Sequence, residues 1–336
     1  MLFCIFIITS IFIYILIRFS DKLKLIDIPN DRSMHQVVKP RGAGIAFVLS
    51  IFIILVFFDF DYLINYYHVY LAIIVVFIAG IWDDYKDISP KIKFIFIFIS
   101  SVLLYINDLA IYSLGTYFGL ELILPSWLIF PFTFFAISGY TNALNLMDGL
   151  DGLAGSITIV ILSTFFAIGL EHKDELLITL SSTFIVSLMA FLLFNWNPAK
   201  IFMGDSGSLT LGMVIVILSI QALEYITPAS VLFIIALPLL DTFIVMTRRI
   251  QRGQSPFKAD KNHMHHFLFN VKGDIRYTVT ILIMMQIIFS IIGYQVSHAN
   301  NLISLVLFIL LFYIYLNLFD QRLKRRKKES GMTPKN

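Results

Sequence analysis

Long apolar runs alternate with short polar breaks, and the runs fall at about 2–19, 43–58, 67–82, 92–106, 122–140, 153–170, 176–194, 208–223, 228–246, 279–297 and 301–319. An α-helix rises about 1.5 Å per residue, so about 20 apolar residues cross a hydrocarbon layer roughly 30 Å thick. The spacing therefore predicts an all-α, polytopic integral membrane protein of about eleven transmembrane helices. The 92–106 run is short for a span and the 109–125 stretch after it is ambiguous, which leaves ten or twelve as alternatives. The first run lacks the basic n-region and the early small-residue cleavage site of a signal peptide, so it is read as the first helix. No soluble domain of ordinary size fits between the runs. Residues 1–320 read as one transmembrane domain and 321–336 as a basic tail.

Charge fixes an orientation for this pattern. With the N-terminus outside, the connections at 20–42, 83–91, 141–152, 195–207 and 247–278 and the C-terminal tail face the cytoplasm. Every lysine and arginine except Lys173 then lies in these connections, in the tail or at the helix ends beside them, as the positive-inside rule requires. The other side carries Asp59, Asp61, Asp108, Glu121, Glu171, Asp174, Glu175 and Glu224. A wrong helix count would scramble this parity, so the asymmetry says more than the net charge of +3. The tail cluster Arg322, Lys324, Arg325, Arg326, Lys327 and Lys328 reads as an anchor beside anionic lipid headgroups, not as a nucleic-acid site. Composition agrees: 58% hydrophobic and only 14% charged residues are too apolar for a soluble fold. The single cysteine, Cys4, excludes a disulfide and a thiolate metal site.

The unusual polar residues sit in the same cytoplasmic connections, and they are Asp, Asn, His and Gly rather than the Lys, Glu and Ser of a merely solvated loop. Asp83, Asp84 and Asp87 close the third run. Adjacent carboxylates at a membrane boundary repel each other and suffer desolvation, so a cation or a proton-transfer duty is expected of them. Soluble prenyl synthases carry such a pattern twice; here it occurs once. Asn142, Asn145 and Asp148 recur every third residue and so share an arc of one helix, while Gly149 and Gly152 around Asp151 let backbone approach a ligand. Carboxamides beside carboxylates suit a phosphorylated, hydroxylated substrate and a hard cation. The string lacks the arginine and the later aspartates of phosphatidyltransferases that use CDP-lipids.

Downstream of Asn195, Asn197 and Lys200, a small-residue turn around Asp205 opens the next helix. Such a turn offers free N–H groups to phosphate while the carboxylate faces a metal. In the 247–278 connection, Arg248, Arg249 and Arg252 precede His263, His265 and His266; with no cysteine for zinc, these are candidate donors to a diphosphate or a sugar. Asp27 to His35, followed by Lys39 to Gly44, reads as an ordered loop, and Asp241 inside the ninth run is an intramembrane carboxylate and a functional candidate.

Taken together, these strings resemble the polyprenyl-phosphate N-acetylhexosamine-1-phosphate transferases. The resemblance covers roughly residues 20–270 through DIPNDRSMH at 27–35, DDYKD at 83–87, NALNLMDGLDGLAG at 142–155, FNWNPAKIFMGDSGSL at 194–209, PLLD at 238–241 and HMHH at 263–266. The HMHH form is similar to the bacterial branch that uses UDP-N-acetylglucosamine and undecaprenyl phosphate, in the cytoplasmic membrane, to initiate a cell-surface polysaccharide. PRGAG stands where many relatives have three glycines. The resemblance implies attack of the lipid phosphate on the β-phosphate of a UDP-N-acetylhexosamine, releasing UMP, with magnesium, or manganese in its place, as cofactor. It implies Asp205 and Asn145 as metal ligands, and Asp83, Asp84, Asp205 and His263 as catalytic. Asn142, Asn145, Asp148, Asp151, Lys200, Arg249, His265 and His266 would bind substrate. Relatives further imply a homodimer. The competing expectation is an ion-coupled transporter, although transporters place such groups near the bilayer midplane in two related halves.

Overall fold

The computed structural model describes residues 1–29, 37–251, 253–255, 263–297 and 299–329. Asn30 to Gln36, Arg252 and Pro256 to Asn262 lie outside the described residues, as do the basic side chains of the tail. Among the described residues the chain is helical apart from two short antiparallel pairs. The N-terminal half runs α1 (Leu2–Leu23), β1 (Ile26–Asp27), β2 (Lys39–Pro40), α2 (Ala43–Phe58), α3 (Phe60–Asn65), α4 (Tyr67–Tyr85), α5 (Pro90–Tyr105), β3 (Ser113–Tyr117), β4 (Leu120–Ile123) and α6 (Ser126–Met147). There follow α7 (Leu153–His172), α8 (Glu175–Asn195), α9 (Asp205–Ala222), α10 (Pro228–Ile234), α11 (Ala236–Gln251), α12 (Met264–Lys272), α13 (Ile275–Gln295) and α14 (Asn301–Glu329).

Each of the eleven expected runs lies on a helix or, for 228–246, on a bent pair. Among the described residues, six helices (α1, α4, α7, α8, α9 and α13) are long and apolar enough to cross a membrane, and the pair α10–α11 taken as one makes a seventh. The protein is thus a multi-pass membrane protein. Helices α2 and α5 have 16 residues each, about 24 Å of rise, and α6 loses apolarity toward its polar end from Tyr140 to Asn145. The ambiguous 109–125 stretch is the β3–β4 hairpin.

The 228–246 run departs most from expectation, because α10 and α11 meet at 87°. Pro238 has no N–H to return to the carbonyl of Ile234, and the helix breaks. The buried Gln286 of α13 satisfies the exposed ends, donating from Nε2 to Ile234 O at 2.7 Å and accepting from Leu237 N at 3.2 Å. In an apolar surrounding such groups need a protein partner, since water is absent.

Helix α9 is the axis of the bundle: Ser206 to Ile220 is buried without a break, against α2, α4, α6, α7 and α8. Glycines bring those backbones to it. A Cβ on Gly44 of α2 would overlap the backbone of Gly207, one on Gly80 of α4 would lie 2.5 Å from Ser206 Cα, and one on Gly212 would lie 2.7 Å from Thr141 Cα of α6. Small residues at helix crossings are how membrane helices gain close packing without a hydrophobic drive. The consequence is local: the polar ends of α4 and α6 arrive beside the first turn of α9.

Candidate active site

At that first turn, Gly204 has φ +76° and a Cβ there would lie 2.5 Å from an Asp84 carboxylate oxygen, so the position suits glycine alone. Asp84 accepts from the N–H of Asp205 at 2.8 Å and of Ser206 at 3.0 Å, capping α9 from a different helix. Its neighbour Asp83 accepts from Ile88 N at 3.0 Å and pairs with Lys93 Nζ at 3.0 Å. The same ammonium pairs with Asp205. Two carboxylates expected to carry chemistry therefore share one cation, and Lys93 is a residue that sequence reasoning read only as a topogenic charge. Its signal was the tight 86–89 turn, which sends α5 back along α4 and Lys93 back to Asp83.

Two further cations come from the segment after β1. Arg41 donates from Nε to Asp84 O at 3.0 Å and from Nη2 to Asp83 O at 3.4 Å, satisfying the last carbonyls of α4. Lys39 lies 3.8 Å from Asp151 and over the ring of Phe202. Neither was singled out from the sequence. This segment is held in place by backbone bonds to the turn before α9: Phe202 N donates to Pro40 O, Ala43 N to Phe202 O and Gly44 N to Met203 O, at 2.8, 3.1 and 2.9 Å.

Near the end of α6, Asn145 donates to Ser208 Oγ at 2.8 Å and borders the cavity together with Asp205. Asp148 sits at the helix end, where burial, and after it the carboxylates of Asp205, Asp84 and Asp151, push its carboxyl up to about 7. Asp151 accepts from Asn197 Nδ2 and Ala199 N, both at 2.9 Å, and so pins the loop between α8 and α9. Asn195 links the same loop to α7, accepting from Gly152 N at 2.9 Å and donating to Ile201 O at 2.8 Å. Asn142 is half-buried on α6 and Lys200 is exposed; neither borders the cavity described below.

The histidines arrive on α12. His263 is buried and its Nδ1 lies 2.9 Å from Asp241 Oδ2, behind the site rather than in it. His265 stacks on His263 with centroids 5.7 Å apart, and its Nε2 would be 2.5 Å from a Cβ at Gly149, which is why the turn there is a glycine. Burial, with His266 and His263 adding to it against the pull of Asp241, pushes His265 down to about 3, so it stays neutral. His266 alone of the three borders the cavity. Arg249 is buried on α11 and does not line it.

The cavity has a volume of about 510 Å³ and is walled by Asp84, Asn145, Asp148, Asp151 and Asp205, with Lys39, Arg41 and His266 opposite in charge or donor character. Among the described residues no three Asp, Glu, His or Cys side chains form a complete metal cage. Magnesium does not need one: it keeps several waters and binds through one or two carboxylates plus substrate phosphates. Asp83 and Asp205 converging on one cation, with the Asn145 carboxamide beside them, is an oxygen-rich donor set that fits such partial binding.

Residues 66–223, from the start of α4 to the end of α9, match the family model for Glycosyl transferase family 4. A Bacillus subtilis protein named "Probable undecaprenyl-phosphate N-acetylglucosaminyl 1-phosphate transferase" is 32% identical over 302 residues, covering 88% of this chain and 84% of its own length. The chain belongs to glycosyl transferase family 4. The undecaprenyl-phosphate alpha-N-acetylglucosaminyl 1-phosphate transferase of Escherichia coli is 31% identical over 98% of this chain and 96% of its own. The Salmonella typhi protein of the same name is 32% identical over 93% and 88%. The family-matched stretch contains Asp83, Lys93, Asn145, Asp148 and Asp205, whereas the Lys39–Gly44 segment and the histidine helix of this transferase lie outside it.

Proposed function

We propose that this family-4 transferase moves N-acetylglucosamine 1-phosphate from its UDP derivative to undecaprenyl phosphate, on the cytoplasmic side of a bacterial cytoplasmic membrane, forming a polyprenyl diphosphate sugar. The relatives' printed names support the lipid and the sugar, and neither they nor the family support a transporter. The observation that carries the reading is the gathering of Asp84, Asn145, Asp148 and Asp205 at a cavity of about 510 Å³, with Lys93 and Asp83 tied to Asp205 just behind its wall. A pocket in the range of roughly 300–1,000 Å³ accommodates a ligand of nucleotide-sugar size. In the reaction an oxygen of the lipid phosphate forms a bond to the β-phosphorus, the bond from the β-phosphorus to the bridging oxygen breaks, and UMP leaves carrying that oxygen and the bonding pair. The lipid phosphate is already ionised near neutral pH, so no proton need be removed. Asp83 and Asp84 then act by placement: their oxygens are engaged by Lys93 and by backbone N–H groups.

Asp205 and Asn145 would hold magnesium, which when bound offsets the charge gathering on the bridging phosphates. Lys39 and Arg41 supply fixed positive charge at the cavity wall where phosphates would lie, while Lys93 acts from behind it through Asp205, and preorganised charge of this kind is the main catalytic means in phosphoryl transfer. His266 offers a donor from the far wall. Incubation of the purified protein with radiolabelled UDP-N-acetylglucosamine, magnesium and undecaprenyl phosphate should move label into the organic phase and release UMP. Label that stays wholly aqueous with folded protein refutes the reading.

A further inference from the structure

We propose that Asp241 is a positioning residue of this transferase site, holding His266 at the cavity wall by gripping the start of α12; the inference rests on the transferase reading above. Asp241 lies on α11, is 2% exposed, and lines no part of the cavity. Both of its oxygens are occupied by one structural unit: Oδ1 accepts from Met264 N at 2.6 Å and Oδ2 meets His263 Nδ1 at 2.9 Å. A buried carboxylate is costly unless hydrogen-bonded, so these two partners are what the fold offers it, and they are the N-cap residue and the first residue of α12. The grip continues outward. His263 stacks on His265, His265 seats against Gly149, and His266 lies 4.3 Å, ring to ring, from His265. His266 thus reaches the cavity on a helix that is docked between Asp241 and the Gly149 turn. The bend between α10 and α11 is part of the device, since it turns α11 away from the course a straight span would take.

The consequence is a split between the two substrates. His266 borders the cavity with Gly149, Leu150 and Asp151, the wall that would take the nucleotide sugar. Asp241→Leu keeps the branched shape of the side chain at a larger volume, removes the buried charge and deletes both bonds. Purified full-length protein is assayed with UDP-N-acetylglucosamine and undecaprenyl phosphate varied in turn. Asp241→Leu should lower kcat/KM for the nucleotide sugar by about 10- to 100-fold, the scale expected when supporting partners let a group move by an ångström. KM for undecaprenyl phosphate should hold. Asp241→Asn still accepts from Met264 N and should recover most of the loss. In a His266→Ala background, Asp241→Leu should add less than about twofold, because the two act as one unit.

Met264→Pro tests the grip from the other side. It deletes the N–H at the first helical position, where proline is tolerated, and His263, at φ −67° and ψ 155°, already has the conformation that precedes proline. Met264→Pro should reproduce the nucleotide-sugar defect, and it decides the matter if Asp241→Leu does not fold. Full activity in either folded variant, or losses that multiply with His266→Ala, overturns the role of Asp241. If the wild-type protein itself forms no lipid-linked product, the transferase reading fails instead.

Discussion

Replacing Lys93 by methionine isolates the electrostatics of the site. Its ammonium lies 3.0 Å from Asp83 Oδ2 and also pairs with Asp205, so the two carboxylate oxygens face each other across one cation. At a separation of about 5 Å and an effective dielectric of about 20, two unit charges repel by roughly 3 kcal/mol. The three side chains are 21%, 12% and 26% exposed, a partly buried setting in which removing one partner approaches the lower end of the 3–5 kcal/mol seen for fully buried pairs. Lys93→Met should therefore destabilise the protein by about 3 kcal/mol, read as a lower thermal unfolding midpoint in detergent. Asp83→Asn added to Lys93→Met should return most of that loss by removing one of the repelling charges. Magnesium or manganese should raise the midpoint of Lys93→Met more than that of the wild type, because a divalent ion then meets two uncompensated carboxylates. An unchanged midpoint in Lys93→Met, or no recovery from Asp83→Asn, refutes the reasoning that Lys93 offsets their repulsion.

Gly204→Ala forces a side chain into positive φ and onto the Asp84 carboxylate; strain of about 1–3 kcal/mol and displacement of the α9 cap should abolish most product formation while the protein still purifies as a folded species. Gln286→Leu leaves Ile234 O and Leu237 N without partners at the α10–α11 bend, and should lower the unfolding midpoint by an amount equivalent to about 1–3 kcal/mol per group. Asp148→Asn should stabilise the protein in a pH-dependent way. The carboxyl is raised to about 7 when folded, so the wild type loses stability between about pH 4 and pH 7, where the unfolded chain is ionised and the folded one is not, and loses no more above that. The difference in midpoint between variant and wild type should grow across that window and then level; a flat difference from pH 4 to 7 counts against the raised carboxyl.

Periodicity was sufficient for the architecture in outline. Apolar runs of helical length have few places to go but a bilayer, and the placement of lysine and arginine follows from how helices enter it. The aspartates and asparagines now found around α9 were visible for a similar reason: Asp83, Asn145, Asp148 and Asp205 are the wrong residues for a helix end that only needs solvating. Residue type could not separate roles that depend on the partner. Asp83 and Asp84 are adjacent, yet one pairs with Lys93 and the other caps α9, because consecutive helix positions face different neighbours. Lys39, Arg41 and Lys93 looked like topogenic charge, since a lysine at a membrane boundary has the same sequence signature whether it meets headgroups or carboxylates. His263 and His266 share a motif but meet different partners, one Asp241 and one the cavity. The break at 228–246 depends on Gln286, 48 residues beyond Pro238, supplying the hydrogen bonds that make a bend tolerable in an apolar surrounding. Local chemistry decides whether a segment can be a helix and whether a residue is unusual; which groups satisfy each other is settled by close packing around α9, through glycines whose partners are remote in the chain.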